Sequence, residues 1–216
     1  MIPPPPTPTL PEELLLLALD PVRGKPYCRN RFLEYAMAGA ALAELELQGR
    51  VTGQGGRFRV TDPLEPPDPV LAAVTRSLPA PGKGGGGSGA SAKRWVRHTG
   101  RPVEGLYLDA LVERGVLRRE TRRFLGLLPY HRHPVAAKDL AALARTRFDA
   151  AERAGFPDPR SRALAALVSA AGLSRSVGTE RGSRSAMRRL VRDHWPAHAV
   201  LRNVRQDRAN QSGDGG

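Results

Sequence analysis

His131 and His133 stand two residues apart and His194 and His198 four apart, spacings at which imidazoles on one strand or helix face can share a metal ion. Neither pair has a cysteine nearby, and Pro196 falls inside the second, so surface histidines are expected rather than a zinc centre. Cys28 is the single cysteine, which excludes an intramolecular disulfide and a multi-thiolate metal site. The carboxylates offer no acid–base pair: Glu12 and Glu13 are expected to complement a helix N-terminus, and Glu44 and Glu46 to lie on the solvated side of their helix. There is no GxSxG nucleophile elbow. The glycine run from Gly82 to Gly89 matches GxGxxG trivially, with no strand before it and Ser77 where a P-loop needs its first glycine. No catalytic residue, metal or cofactor is expected, and the chain is read as a non-enzyme.

The chemistry on offer is cationic. The net charge is +13, yet residues 1–92 carry 9 basic and 9 acidic side chains while residues 93–216 carry 25 and 12. An excess gathered in one part of a chain points to an anionic partner, nucleic acid or a lipid surface. Only four of the 34 basic residues are Lys, and the abundant Ala, Gly and Pro match a GC-rich genome, so part of the Arg excess is codon usage. Arg118, Arg119, Arg122 and Arg123 crowd a segment read as a charged hairpin turn. Arg184, Arg188 and Arg192, with Arg189 beside them, recur opposite Met187, Leu190, Val191 and Trp195. That pattern suits a basic amphipathic helix on an anionic membrane, or a surface helix whose apolar face enters the core.

These groups need a scaffold, and the sequence predicts one mainly α domain: a helical bundle with two short β-hairpins. Residues 1–9 read as a Pro-rich disordered tail, 10–209 as the domain, 79–92 as a flexible Gly-rich loop inside it, and 210–216 as a frayed tail. Leu10-Pro11-Glu12-Glu13 opens a helix that continues through Leu14–Leu19. Asn30 to Gln48 is the clearest helix, apolar on every side from Ala36 to Ala43 and therefore central. Arg50–Thr61 alternates around Gly53–Gly56 as a hairpin, Asp68–Leu78 forms a short helix, and Gly105–Arg114 precedes a second hairpin of Val116-Leu117 with Phe124–Leu128. Helices over Asp139–Ala154, Arg160–Ala171 and Arg184–Trp195, and a helical stretch near Ala197–Arg208, complete the bundle. The longest apolar runs, Leu14–Leu19 and Ala36–Ala43, are too short to span a bilayer, and the N-terminus lacks a basic region followed by an apolar one. A cytoplasmic, peripherally membrane-associated protein is expected.

Taken in order, several segments resemble the Golgi phosphoprotein 3 family and its shorter bacterial relatives. They are Leu10 to Leu16, Leu33 to Val51 around Ala38-Gly39-Ala40-Ala41-Leu42-Ala43-Glu44-Leu45, Leu111 to Leu117, Phe124 to Pro134, and Arg162 to Leu167. The resemblance implies a mostly helical domain whose eukaryotic members bind phosphatidylinositol 4-phosphate on Golgi membranes and hold glycosyltransferase tails there. It also implies self-association through a protruding hairpin, here residues 123–134 with Phe124, Leu125, Leu127, Leu128 and Tyr130, giving a homo-oligomer. At the lipid pocket it puts Arg29 where the membrane-inserting tryptophan stands, Ala38 where a phosphate-binding arginine stands, and Arg101 and Glu104 at the two remaining arginine positions. Only Arg101 keeps the family chemistry, and Arg29, Lys25, Arg97 and Arg101 are the expected substitute set for an anionic lipid phosphate.

Two other readings compete. A helix ending in glycine before a hairpin also describes a winged-helix unit, which would bind nucleic acid; against it, Glu44 and Glu46, and Asp109 and Glu113, stand where a recognition helix presents Arg, Asn or Gln. A self-associating protein scaffold with no anionic ligand is the third.

Overall fold

The computed structural model describes residues 8–80, 89–124 and 128–213, and eight helices and two small antiparallel sheets occur among them. The mainly α fold expected from the sequence is what forms. Its axis is α2 (Asn30–Leu47), in which every residue from Tyr35 to Leu45 is buried. α1 (Leu10–Ala18), α4 (Ala92–Glu113), α6 (Pro159–Ala171) and α8 (Trp195–Gly213) pack around it. Small residues make this possible. A Cβ at Gly39 would overlap Val200 of α8 and lie 3.0 Å from Leu167 of α6, and one at Gly100 of α4 would lie 2.8 Å from the Glu34 carbonyl oxygen.

Polar contacts set the helix directions. Arg160, at the start of α6, reaches Glu44 at 3.0 Å, and Trp195, at the start of α8, donates its indole N–H to Glu46. Both helices therefore start near the C-terminal half of α2 and run antiparallel to it. At their far ends, Ala171 and Arg208 meet Phe32 and the α2 N-terminus.

Of the two carboxylates expected on the solvated side of α2, Glu46 is half-buried and Glu44 is inside, while Glu12 and Glu13 stand in the first turn of α1 as expected. Glu44 is buried, accepts the Leu10 amide at 2.7 Å, and pairs with Arg160. Glu12 and Glu13 are also buried; Arg114 pairs with the first, and Arg160 (3.4 Å) and Arg147 (3.7 Å) with the second. Burial raises the Glu13 carboxyl above its ordinary value against the pull of these arginines. An isolated buried carboxylate would be very costly, so these charges survive by pairing, and together they fasten α1, α2, α4, α5 (Lys138–Arg153) and α6.

Several boundaries move. α4 begins at Ala92, thirteen residues before the expected Gly105, with the Ser91 hydroxyl accepting the Arg94 amide. Pro102 sits inside it on the exposed face, where tertiary packing of Trp95, Val96 and Val103 outweighs its helix-breaking tendency. The first hairpin, β1 (Val51–Gln54) and β2 (Arg57–Val60), turns on Gly55 and Gly56 at φ +60° and +76°, the left-handed pair a two-residue turn requires. Ala90 and Ser91, expected in a loop, add a third strand, β3, against β2. In the second hairpin, β4 (Glu120–Phe124) pairs with β5 (Leu128–Arg132). Glu120, Thr121 and Arg122, expected in a charged turn, thus lie in a strand, because buried Leu117 is already bridged to Val135 at the hairpin's base. α3 (Pro69–Thr75) is shorter than expected, and α7 (Arg181–Asp193) ends before Trp195. That tryptophan belongs to α8, stacked on Phe58 at 5.7 Å over Gly53. α8 continues through residues 210–213, which had been expected as tail.

Candidate anion site at the N-terminus of α2

The chain from Asp20 to Arg29 leaves α1 and enters α2, and it is held on both sides. The Asp20 carboxylate accepts the amides of Val22 (2.9 Å) and Arg23 (2.8 Å), which lowers its pKa. The Asp20 amide donates to Lys25 and the Tyr27 amide to Ala18, closing the loop onto α1. On the other side the His133 amide donates to Gly24 and the Val135 amide to Pro21. Gly24, at φ +60°, lies so close to the His133–Pro134 backbone that a side chain has no room. The loop is thereby rigid, yet it leaves Val22 79% and Tyr27 44% exposed.

Two grooves flank it. The larger, about 1090 Å³, lies between the loop, the α2 N-terminus and the ends of α6 and α8, and is lined by Arg23, Lys25, Arg29, Phe32 and Arg208. Asp20, held by its own loop amides, is the one carboxylate among its lining residues. The smaller, about 780 Å³, lies between α2, α4 and β5, where Arg101, Lys25 and Arg132 face Glu34 and Glu104.

The four expected site residues therefore divide. Lys25 lines both grooves, Arg29 the larger and Arg101 the smaller. Arg97 joins neither lining: it pairs with Asp207 at 3.0 Å and lies 6.0 Å from the Tyr35 ring. The Tyr35 hydroxyl donates to the same Asp207 at 2.8 Å and accepts from Arg31 at 2.9 Å, so this network ties α2, α4 and α8 together. Ala38 is fully buried in the core. Glu104 is half-buried beside Glu34; loss of water contact first, then the Glu34 charge, pushes its carboxyl up to about 7 despite Arg101.

A family model described as Golgi phosphoprotein 3 (GPP34) matches residues 10–206. The chain belongs to the Golgi phosphoprotein 3 family. No curated protein matches it. For this Golgi phosphoprotein 3 family member, sequence reasoning missed Arg208, Arg23 and Arg132 as groove residues. Nothing local marks Arg208, because it reaches the site only through the antiparallel packing of α8 on α2.

The remaining expected groups are placed as follows. His194 is half-buried, and loss of water contact pushes its pKa down to about 4 at the C-terminal cap of α7; His131 meets the Thr121 hydroxyl at 3.3 Å across β4 and β5. Among the described residues no group of three potential metal ligands gathers, and no helix is long and apolar enough to cross a membrane. Leu125 and Leu127 lie outside the described residues. Tyr130 carries Arg132 over its ring at 4.9 Å.

Proposed function

We propose that this protein is a non-enzymatic peripheral membrane protein that sets the N-terminal end of α2 on anionic lipid head groups, with phosphatidylinositol 4-phosphate the head group suggested by its family. The observation that supports this most is the stiff loop from Asp20 to Arg29. It offers two exposed apolar side chains, Val22 and Tyr27, between Arg23, Lys25 and Arg29. Apolar groups that enter the interface beside cations that meet phosphates are the elements of peripheral attachment. Sedimentation with vesicles tests it: phosphatidylcholine alone should leave the protein in the supernatant, and added phosphatidylserine or phosphatidylinositol 4-phosphate should pull it down. Val22→Asp together with Tyr27→Asp should abolish that pelleting. Equal recovery with neutral and anionic vesicles refutes the reading.

The β4–β5 hairpin supports self-association as a second property. It packs substantially against no other element among the described residues, and its two strands have no third partner there. Two-stranded ribbons are marginal alone and present unpaired edges. Deleting residues 121–130 should lower the mass measured by light scattering to that of one chain; an unchanged mass rules out assembly through the hairpin. The winged-helix alternative is less favoured, since α2, which precedes the first hairpin, is buried from Tyr35 to Leu45, where a recognition helix would have to face a groove of DNA.

A further inference from the structure

The two grooves beside the loop differ in electrostatics, and the difference runs opposite to what the family pattern leads one to look for. In the groove containing Arg101, the one retained family position, Glu34 and Glu104 stand with it. Two carboxylates close to a phosphate oppose its binding at short range. The larger groove has the reverse balance. Arg29 and Arg208 lie 5.8 Å and 5.3 Å from the centroid of the same Phe32 ring, so one aromatic ring brings both guanidinium groups to the groove. Neither forms an ion pair with a carboxylate among the described residues, and Lys25 likewise has none.

Arg208 is held from behind as well. Gly172 ends α6 at φ +81°, and a Cβ there would lie 3.0 Å from the Arg208 guanidinium, so the missing side chain leaves room for the arginine at the helix end. Asn30, at the first turn of the eighteen-residue α2, lines the same groove, and no side chain caps that helix start. The partial positive charge there adds to that of the arginines.

We propose that the groove between α2, α6 and the end of α8 is the anion site of this chain, with Arg29 and Arg208 as paired forks on a phosphomonoester and Lys25 and Arg23 at its rim. The ligand is a phosphomonoester on a polyol, whether carried by a lipid or free in solution as an inositol phosphate. Guanidinium forks suit this ligand because each presents two parallel N–H groups to two phosphate oxygens. Arg208 lies beyond residue 206, where the family match ends, so the site is built partly from sequence outside the shared pattern. The proposal rests on the membrane reading for its lipid-borne form only.

Calorimetric titration with inositol 1,4-bisphosphate tests it, with inorganic phosphate as a parallel titrant and vesicles carrying phosphatidylinositol 4-phosphate as a third arm. Arg29→Gln and Arg208→Gln should each weaken inositol bisphosphate binding by about tenfold or more, the usual loss for a charge-assisted hydrogen-bonded partner. Arg101→Gln should leave it within about twofold, because that side chain lies in the other groove. Arg208→Lys keeps the charge at this exposed position but loses the fork, and it should bind weakly while its thermal melt matches the parent. Wild-type protein that ignores inositol bisphosphate overturns the proposal, as does loss with Arg101→Gln and retention with the other two. If the wild type binds inositol bisphosphate but not vesicles, the membrane reading fails and the groove stands. If vesicles still bind after Arg29 and Arg208 are both replaced, the groove fails and the membrane reading stands.

Discussion

Glu104→Gln should stabilise this protein at alkaline pH and flatten its pH dependence. Glu104 is half-buried in the smaller groove beside Glu34, and its carboxyl is pushed up to about 7 from an ordinary 4.5, by partial desolvation first and by Glu34 second. The group therefore favours its protonated form in the folded protein. Between pH 4.5 and 7 the folded state binds more proton than the unfolded chain, so stability falls as pH rises through that window. The full gap corresponds to roughly 3 kcal/mol, and the groove's access to water reduces the expected effect to on the order of 1–2 kcal/mol. Glutamine keeps the shape and never ionises. At pH 8 the variant should melt roughly 2–8 °C above the parent, and at pH 4.5 the two should coincide. Urea denaturation at half-unit pH steps reads the difference directly. Parallel curves for parent and variant across pH 4.5–8 would refute the argument, since they would mean that the carboxyl titrates alike in the folded and unfolded states.

Arg160→Met should be among the most damaging single changes. It leaves Glu44 without its ion pair and Glu13 with only the longer contact to Arg147, and breaking a buried pair from one side costs about 3–5 kcal/mol, readable as a lowered urea midpoint. Gly39→Ala should cost about 1–3 kcal/mol in the same assay, because the added methyl overlaps Val200 where α2 and α8 pack closely.

The helical architecture was legible because its strongest element carried its own signature: Ala36–Ala43, apolar on every side, could belong only to the centre of a bundle, and α2 is buried there. Where the reading failed, long-range partners overruled local pattern. Glu44 looks like a surface carboxylate until Arg160 arrives from a distant segment, whereas Glu12 and Glu13 stand in the first turn of α1 as their sequence suggests. Pro102 and Gly100 look like breaks in a helix, yet Gly100 is what allows α4 to approach the Glu34 backbone. Trp195 completes an apolar face of α7 in the sequence, but a new helix starts at Trp195 with Pro196 in its first turn, and the ring stacks on Phe58. The candidate site was half legible for the same reason. Lys25, Arg29 and Arg101 do come near one loop, whereas Arg97 is engaged by Asp207 and Arg208 enters from the other end of the chain.

The amides of His133 and Val135, which fix the loop at Gly24 and Pro21, come from the segment that immediately follows β5. Loop and hairpin thus share one anchor, a short length of backbone that serves both. A change that breaks open the base of the hairpin would cost the loop two of the amides that hold it, so damage to either should register at both.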